Sequence, residues 1–169
     1  MADQYGVIEA VNVQYVGPFD FEELYRHLYV WLEWRGYDIR EKKYKDKVKP
    51  KRPIQRELEI DWLAFREVDE YTRFQYKISF RIINLKEIEV KRGDETRKIW
   101  QADIDILIWA YMLLDKDDKW EQSQLLHFFK KLFETYIYKG QVDKWEEVLY
   151  FEALAFKDEA KALLNLYKT

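Results

Sequence analysis

The sequence predicts an α+β fold, an antiparallel β-meander sheet packed with one N-terminal and two C-terminal helices as a two-layer sandwich. Three observations lead there. Apolar and polar residues alternate through the middle of the chain, helical periodicity is confined to its two ends, and Gly or Pro punctuates several boundaries between them. One domain, residues 1–169, holds all of this, and a chain of 169 residues can remove about 70% of its unfolded surface from water.

Residues 6–16 read as the first strand, with Val11, Val13 and Tyr15 alternating, and Gly17-Pro18 as its end. Asp20 then has the character of an N-cap with Glu23 three residues on, and Phe19 can staple onto Leu24. Gly36 is the matching stop. Between them Phe21, Leu24, Tyr25, Leu28, Trp31 and Leu32 share a face, and Tyr29, Val30 and Trp34 widen it, so this helix is expected to pack on more than one side.

Residues 37–48 are charged, with Ile39 and Tyr44 out of phase, so a strand there needs a bulge or an edge position. Pro50 and Pro53 mark a loop. In the next hairpin Leu58, Ile60, Trp62 and Ala64 share one face, as do Phe74, Tyr76, Ile78, Phe80 and Ile82. Setting Val68 opposite Thr72 brings Glu67 across from Arg73 and Glu59 across from Arg81, a register in which opposite charges meet. Residues 84–91 read as a further short strand, turned by Arg92-Gly93-Asp94 into a long one.

In that long strand Trp100, Ala102, Ile104 and Ile106 alternate with Gln101, Asp103 and Asp105. Beyond it Leu107, Trp109, Tyr111 and Leu113 make the second face apolar too, so that end of the sheet is expected to be covered. Asp115 to Asp118 end the sheet. Two helices are expected to follow, one over about 120–139 and stopped by Gly140, the other over about 144–167 and started by Asp143 with Glu146. On the last, Leu149, Ala153, Phe156, Ala160, Leu163 and Tyr167 form a packing stripe.

Composition narrows the chemistry. With no cysteine, disulfides, thiolate metal sites and a cysteine nucleophile are excluded. No apolar run approaches a membrane span and no signal-peptide pattern opens the chain, so the expectation is a cytoplasmic protein. The five glycines are dispersed, which excludes Walker and Rossmann loops. His27 and His127 lack a second histidine at metal spacing, and neither Ser79 nor Ser123 sits in a nucleophile elbow. Carboxylate pairs such as Asp103 with Asp105, or Glu57, Glu59 and Asp61, are what solvated sheet faces routinely carry. Asp115, Asp117, Asp118 and Glu121 lack the spacing of a calcium loop. No catalytic residue, metal site or cofactor is expected.

Charge is lopsided. Residues 40–56 hold nine basic side chains against Glu41 and Asp46, a local net of +7 that leaves −10 for the remainder of a chain whose total is −3. Lys42, Lys45, Lys47, Lys49, Lys51 and Arg52 are therefore candidate anion contacts for a nucleic acid. Lysines also protect an edge strand from edge-to-edge pairing.

The stretches 20–25 (Asp-Phe-Glu-Glu-Leu-Tyr), 35–37 (Arg-Gly-Tyr), 41–45 (Glu-Lys-Lys-Tyr-Lys) and 84–90 (Asn-Leu-Lys-Glu-Ile-Glu-Val) resemble an uncharacterised group of small archaeal proteins. The likeness is structural and implies no activity. The order of elements also loosely resembles helix-grip, START-like domains, in which a curved sheet wraps a long helix around an apolar cavity.

Three functions follow as expectations. The first is a non-enzymatic interaction domain that meets a protein partner or its own copy through Leu63, Phe65, Leu107, Trp109 and Tyr111. The second is a carrier of a hydrophobic small molecule in a helix-grip-like cavity lined by Trp62, Phe74, Tyr76, Phe80 and Trp100. The third is a nucleic-acid-associated protein acting through residues 40–56.

Overall fold

The structure is a computed structural model that describes residues 3–50, 55–120 and 122–166. Its sheet has five antiparallel strands, β1 (Asp3–Phe19), β2 (Asp38–Lys49), β3 (Gln55–Glu67), β4 (Thr72–Arg92) and β5 (Glu95–Leu114), in the order β1-β5-β4-β3-β2. The helices are α1 (Phe21–Glu33), α2 (Gln124–Leu132) and α3 (Lys139–Asn165), with a π-helical turn at Phe133–Ile137 between the last two. The α+β class, with helices flanking an antiparallel sheet as in a two-layer sandwich, is the one the alternation and periodicity predict.

The inner face of the sheet is dry because each strand places its β-branched and aromatic residues there. Ile60, Trp62, Phe74, Tyr76, Ile78, Phe80, Ile106 and Ile108 are buried, and Leu28, Leu32, Leu149, Ala153, Phe156 and Ala160 from α1 and α3 close over them. Trp31 meets Phe156 edge-on at 5.3 Å, and Phe21 stacks on Trp100 at 4.8 Å.

The cap of α1 forms as read, with the Glu23 amide donating to Asp20 Oδ1 at 3.1 Å. Gly36 stops the helix at φ +84°, where the Tyr37 amide returns to the Leu32 carbonyl at 3.2 Å. The wide apolar arc of α1 is only partly used, because Val30 and Trp34 are exposed.

β2 is both an edge strand and a bulged one. Its register shifts between Glu41 and Lys43, which puts Ile39 across from Ala64 and Tyr44 across from Ile60, both on the inner face. The extra residue thus removes the phase conflict visible in the sequence. The β3–β4 register pairs Glu67 with Arg73 and Glu59 with Arg81, as expected.

Four boundaries differ from expectation. β1 runs on through Gly17 and Pro18 to Phe19, because it is an edge strand and a proline facing away from the ladder costs it no bond. Residues 84–91 are not a separate strand but the continuation of β4, since Asn84 adopts φ +55° and absorbs the break as a bulge between Ile83 and Lys86. The 120–139 helix begins instead at Ser123, whose hydroxyl accepts from the Leu126 amide at 3.2 Å, and gives way to the π turn. Gly140 lies within the first turn of α3, and Tyr138, not Asp143, stands at its N-cap. Tyr167 lies outside the described residues; the rest of its stripe, from Leu149 to Leu163, is buried as expected.

Candidate docking surface

α2 is strongly amphipathic and faces the unexpected way. Leu125, Phe128, Phe129 and Leu132 recur at the spacing of one helix face, and Tyr136 extends it by one further turn. Such a stripe ordinarily marks the buried side. Here these residues are exposed, with Leu125 at 66%, Phe128 at 58% and Tyr136 at 79%, and Leu126 and Ile137 are exposed beside them. The one buried residue of α2 is Lys130.

Lys130 turns inward because two carboxylates meet it at the end of the sheet. Its Nζ lies 2.9 Å from Asp3 Oδ2 at the start of β1 and 3.3 Å from Asp115 Oδ2 just past β5. Asp115 is 2% exposed and holds φ +49°, and its oxygens also accept from the amides of Lys119 at 3.0 Å and Trp120 at 3.4 Å. Burial opposes the charge on Lys130, but the two carboxylates outweigh it and hold its pKa above the usual lysine range.

The π turn continues the inward side. Phe133 stacks on Trp120 at 5.5 Å and on Tyr138 at 5.4 Å, and meets Tyr71 edge-on at 5.6 Å. The Tyr71 hydroxyl donates to Glu134, and that of Tyr138 donates to Asp69 Oδ2 at 2.7 Å, where Trp145 Nε1 also donates at 3.1 Å. Asp69 Oδ1 accepts from the amides of Tyr71 and Thr72 in the β3–β4 turn. Although burial works against its charge, these bonds hold Asp69 below the usual carboxylate range. So Lys130, Phe133, Glu134 and Tyr138 fix one side of the α2–π segment to the body, and the apolar stripe is the other side.

On the outer face of the sheet, Leu107, Trp109 and Tyr111 sit on β5 and Leu63 and Phe65 on β3. The intervening strand β4 sets Ser79, Lys77 and Gln75 between them. The five therefore form two clusters, all partly buried. Long cationic side chains lie over them: Lys77 Nζ is 5.1 Å from the Trp109 ring centre, and the guanidinium carbons of Arg73 and Arg40 are 5.6 and 5.8 Å from that of Phe65.

The basic segment lies along edge strand β2, and much of its charge is met locally. Lys43 pairs with Glu59 at 2.6 Å, Lys49 with Glu57 at 2.5 Å, Arg56 with Asp46 at 2.7 Å and Arg40 with Asp38 at 3.3 Å. Lys45 and Lys47 stand across from Glu59 and Glu57 in the ladder, and Lys42 occupies the bulge. Lys51 and Arg52 lie outside the described residues.

His27 meets Glu159 at 2.6 Å and His127 is exposed on α2. Among the described residues no three His, Asp or Glu side chains gather as a metal site. Asp103 accepts from Asn84 at 2.9 Å and Asp61 from Ser79 at 2.6 Å. Two hollows stand out, 390 Å³ along α1 beside Trp31 and Trp34 and 430 Å³ between Val16, Ile83 and Asp105 on the outer sheet face. Both open away from the helix–sheet interface, which Trp62, Phe74, Tyr76 and Phe80 fill.

The α2 surface escapes sequence reading because periodicity gives the direction of a stripe only relative to its own helix. What turns α2 around is Asp3 and Asp115, one of them more than a hundred residues away in sequence. The signal in the sequence is Lys130 itself, a lysine set off the apolar stripe of its helix. Comparison with protein-family models, curated proteins and solved structures finds no match.

Proposed function

We propose that this protein is a non-enzymatic interaction domain that docks a protein through the apolar face of α2 and the π turn. The observation that carries the reading is the inversion of α2, with Lys130 held inward by Asp3 and Asp115 and the Leu125, Phe128, Phe129 and Leu132 stripe turned out. Exposed apolar stripes of this kind gain free energy only when something covers them. The outer sheet clusters around Trp109 and Phe65 are a lesser surface, being divided by β4 and shielded by Lys77, Arg73 and Arg40.

The carrier and nucleic-acid readings have less behind them. Aromatic side chains occupy the space a helix-grip ligand would need, and among the described residues the ion pairs along β2 leave Lys42, Lys45 and Lys47 as the cations of that strand without a close carboxylate pair.

The test is the double variant L125E/F128E. In dilute solution it is expected to melt in urea at the wild-type midpoint or above, because neither side chain is part of the core, and to lose binding of the fluorescent dye anilinonaphthalene sulfonate. A variant that unfolds makes the stripe core and overturns the reading.

A further inference from the structure

We infer that the occupant of the α2 face is a second copy of this chain, paired about a two-fold axis; this rests on the docking reading above. The first argument is area. The five exposed side chains of the stripe, Leu125, Phe128, Phe129, Leu132 and Tyr136, present on the order of 600 Å² between them. That is at the top of what a monomer displays and most of the ~800 Å² that each partner brings to a stable interface.

The second argument is shape. A single helix face with apolar residues at positions i, i+3, i+4 and i+7 is self-complementary: turned antiparallel, the knobs of one copy meet the holes of the other. Two-fold pairing of one patch with itself also closes, leaving no unmatched surface to propagate.

The third argument is charge, which decides against an acidic membrane surface. Lipid-binding helices of this length carry clusters of cations for anionic headgroups. In the 116–139 stretch five lysines face four carboxylates. Lys116, Lys119 and Lys130 are moreover engaged by Glu67, by Asp117 and by the Asp3–Asp115 pair. Lys131 and Lys139 alone give little attraction to an acidic bilayer, whereas a near-neutral apolar stripe meets a copy of itself without repulsion.

Sedimentation equilibrium of the full chain, from micromolar to submillimolar concentration, tests this. The wild type is expected to shift from monomer to dimer, and L125E/F128E to dimerise at least about a hundredfold more weakly while keeping the urea midpoint that the wild type has at monomeric dilution. A wild type that stays monomeric, including one that instead floats with phosphatidylcholine vesicles, overturns the second-copy assignment and leaves the docking face standing. A dimer that survives L125E/F128E overturns it as well, because the contact is then elsewhere. A double variant that unfolds overturns the docking reading itself.

Discussion

Lys130 Nζ and Asp115 Oδ2 lie 3.3 Å apart with both side chains almost wholly removed from water, and this pair, with Asp3, joins α2 to the end of the sheet. Removing one member of a buried pair leaves the other charged and unmatched, which costs about 3–5 kcal/mol. The amides of Lys119 and Trp120 still serve Asp115, so Lys130→Met is expected at the lower end, about 3 kcal/mol in a urea titration. Hydrogen exchange over 124–132 is expected to quicken more than exchange in β3 and β4. Unchanged protection of α2 in Lys130→Met is the contrary result.

Two left-handed residues make separate claims on stability. Gly36 sits at φ +84° with room for a side chain, since a Cβ there meets only Arg66 Cδ, at 3.7 Å. Gly36→Ala is therefore expected to cost about 1 kcal/mol through backbone strain alone. At Asn84, with φ +55°, Asn84→Val is expected to cost about 1–2 kcal/mol and Asn84→Gly close to nothing. Thermal melts of the three variants check both positions, and a harmless Asn84→Val speaks against the bulge.

Alkaline pH is expected to unfold the protein early. Burial raises Tyr37 and Tyr76, and Glu152, which accepts from Tyr37 at 2.5 Å, raises them further. Burial and the Glu41 carboxylate push Tyr25 up to about 12. Unfolded tyrosines ionise near pH 10, so above that the unfolded chain binds fewer protons than the folded one and stability falls with rising pH. Lys130 acts in the same direction: its contribution is complete below about pH 10 and is lost as pH climbs through its raised folded value. Urea midpoints are expected to hold level to about pH 9 and drop steeply beyond pH 10. Tyr37→Phe flattens that descent, and an equal slope in Tyr37→Phe contradicts the assignment.

The two apolar surfaces separate by substitution. Trp109 is half-covered by Lys77 and packs among its strand neighbours, so Trp109→Glu is expected to lower stability by about 1–2 kcal/mol and to leave self-association intact. Sedimentation and urea unfolding of the same sample read both effects. Loss of association in Trp109→Glu at full stability moves the interface to the sheet.

Much of the fold is legible in the sequence where two local signals agree. Asp20, Glu23 and Gly36 write both ends of α1, and the Glu67–Arg73 and Glu59–Arg81 pairs fix the β3–β4 register alongside the alternation of Ile60, Trp62, Phe74 and Phe80. The out-of-phase Ile39 and Tyr44 announce the β2 bulge. Where one signal stands alone it misleads. Asn84 reads as a strand break because an asparagine in a bulge and one in a turn are the same letter, and Gly140 reads as a helix stop although it is accommodated in the first turn of α3. The loss of alternation at Leu107 and Trp109 falls on residues that are partly buried beside Lys77, and the larger exposed stripe lies on α2, whose orientation depends on partners in β1 and after β5.

The chain contains no cysteine, so Phe128→Cys carries a single thiol in the middle of the α2 face, and its rate of maleimide labelling against protein concentration reports what covers that face. Labelling is expected to be as fast as in urea when the protein is dilute and to slow progressively as concentration rises, while Ala153→Cys, at a buried position, stays protected throughout. If Phe128→Cys is as protected as Ala153→Cys at the lowest concentration, α2 is packed into its own domain and its apolar face is not a docking surface.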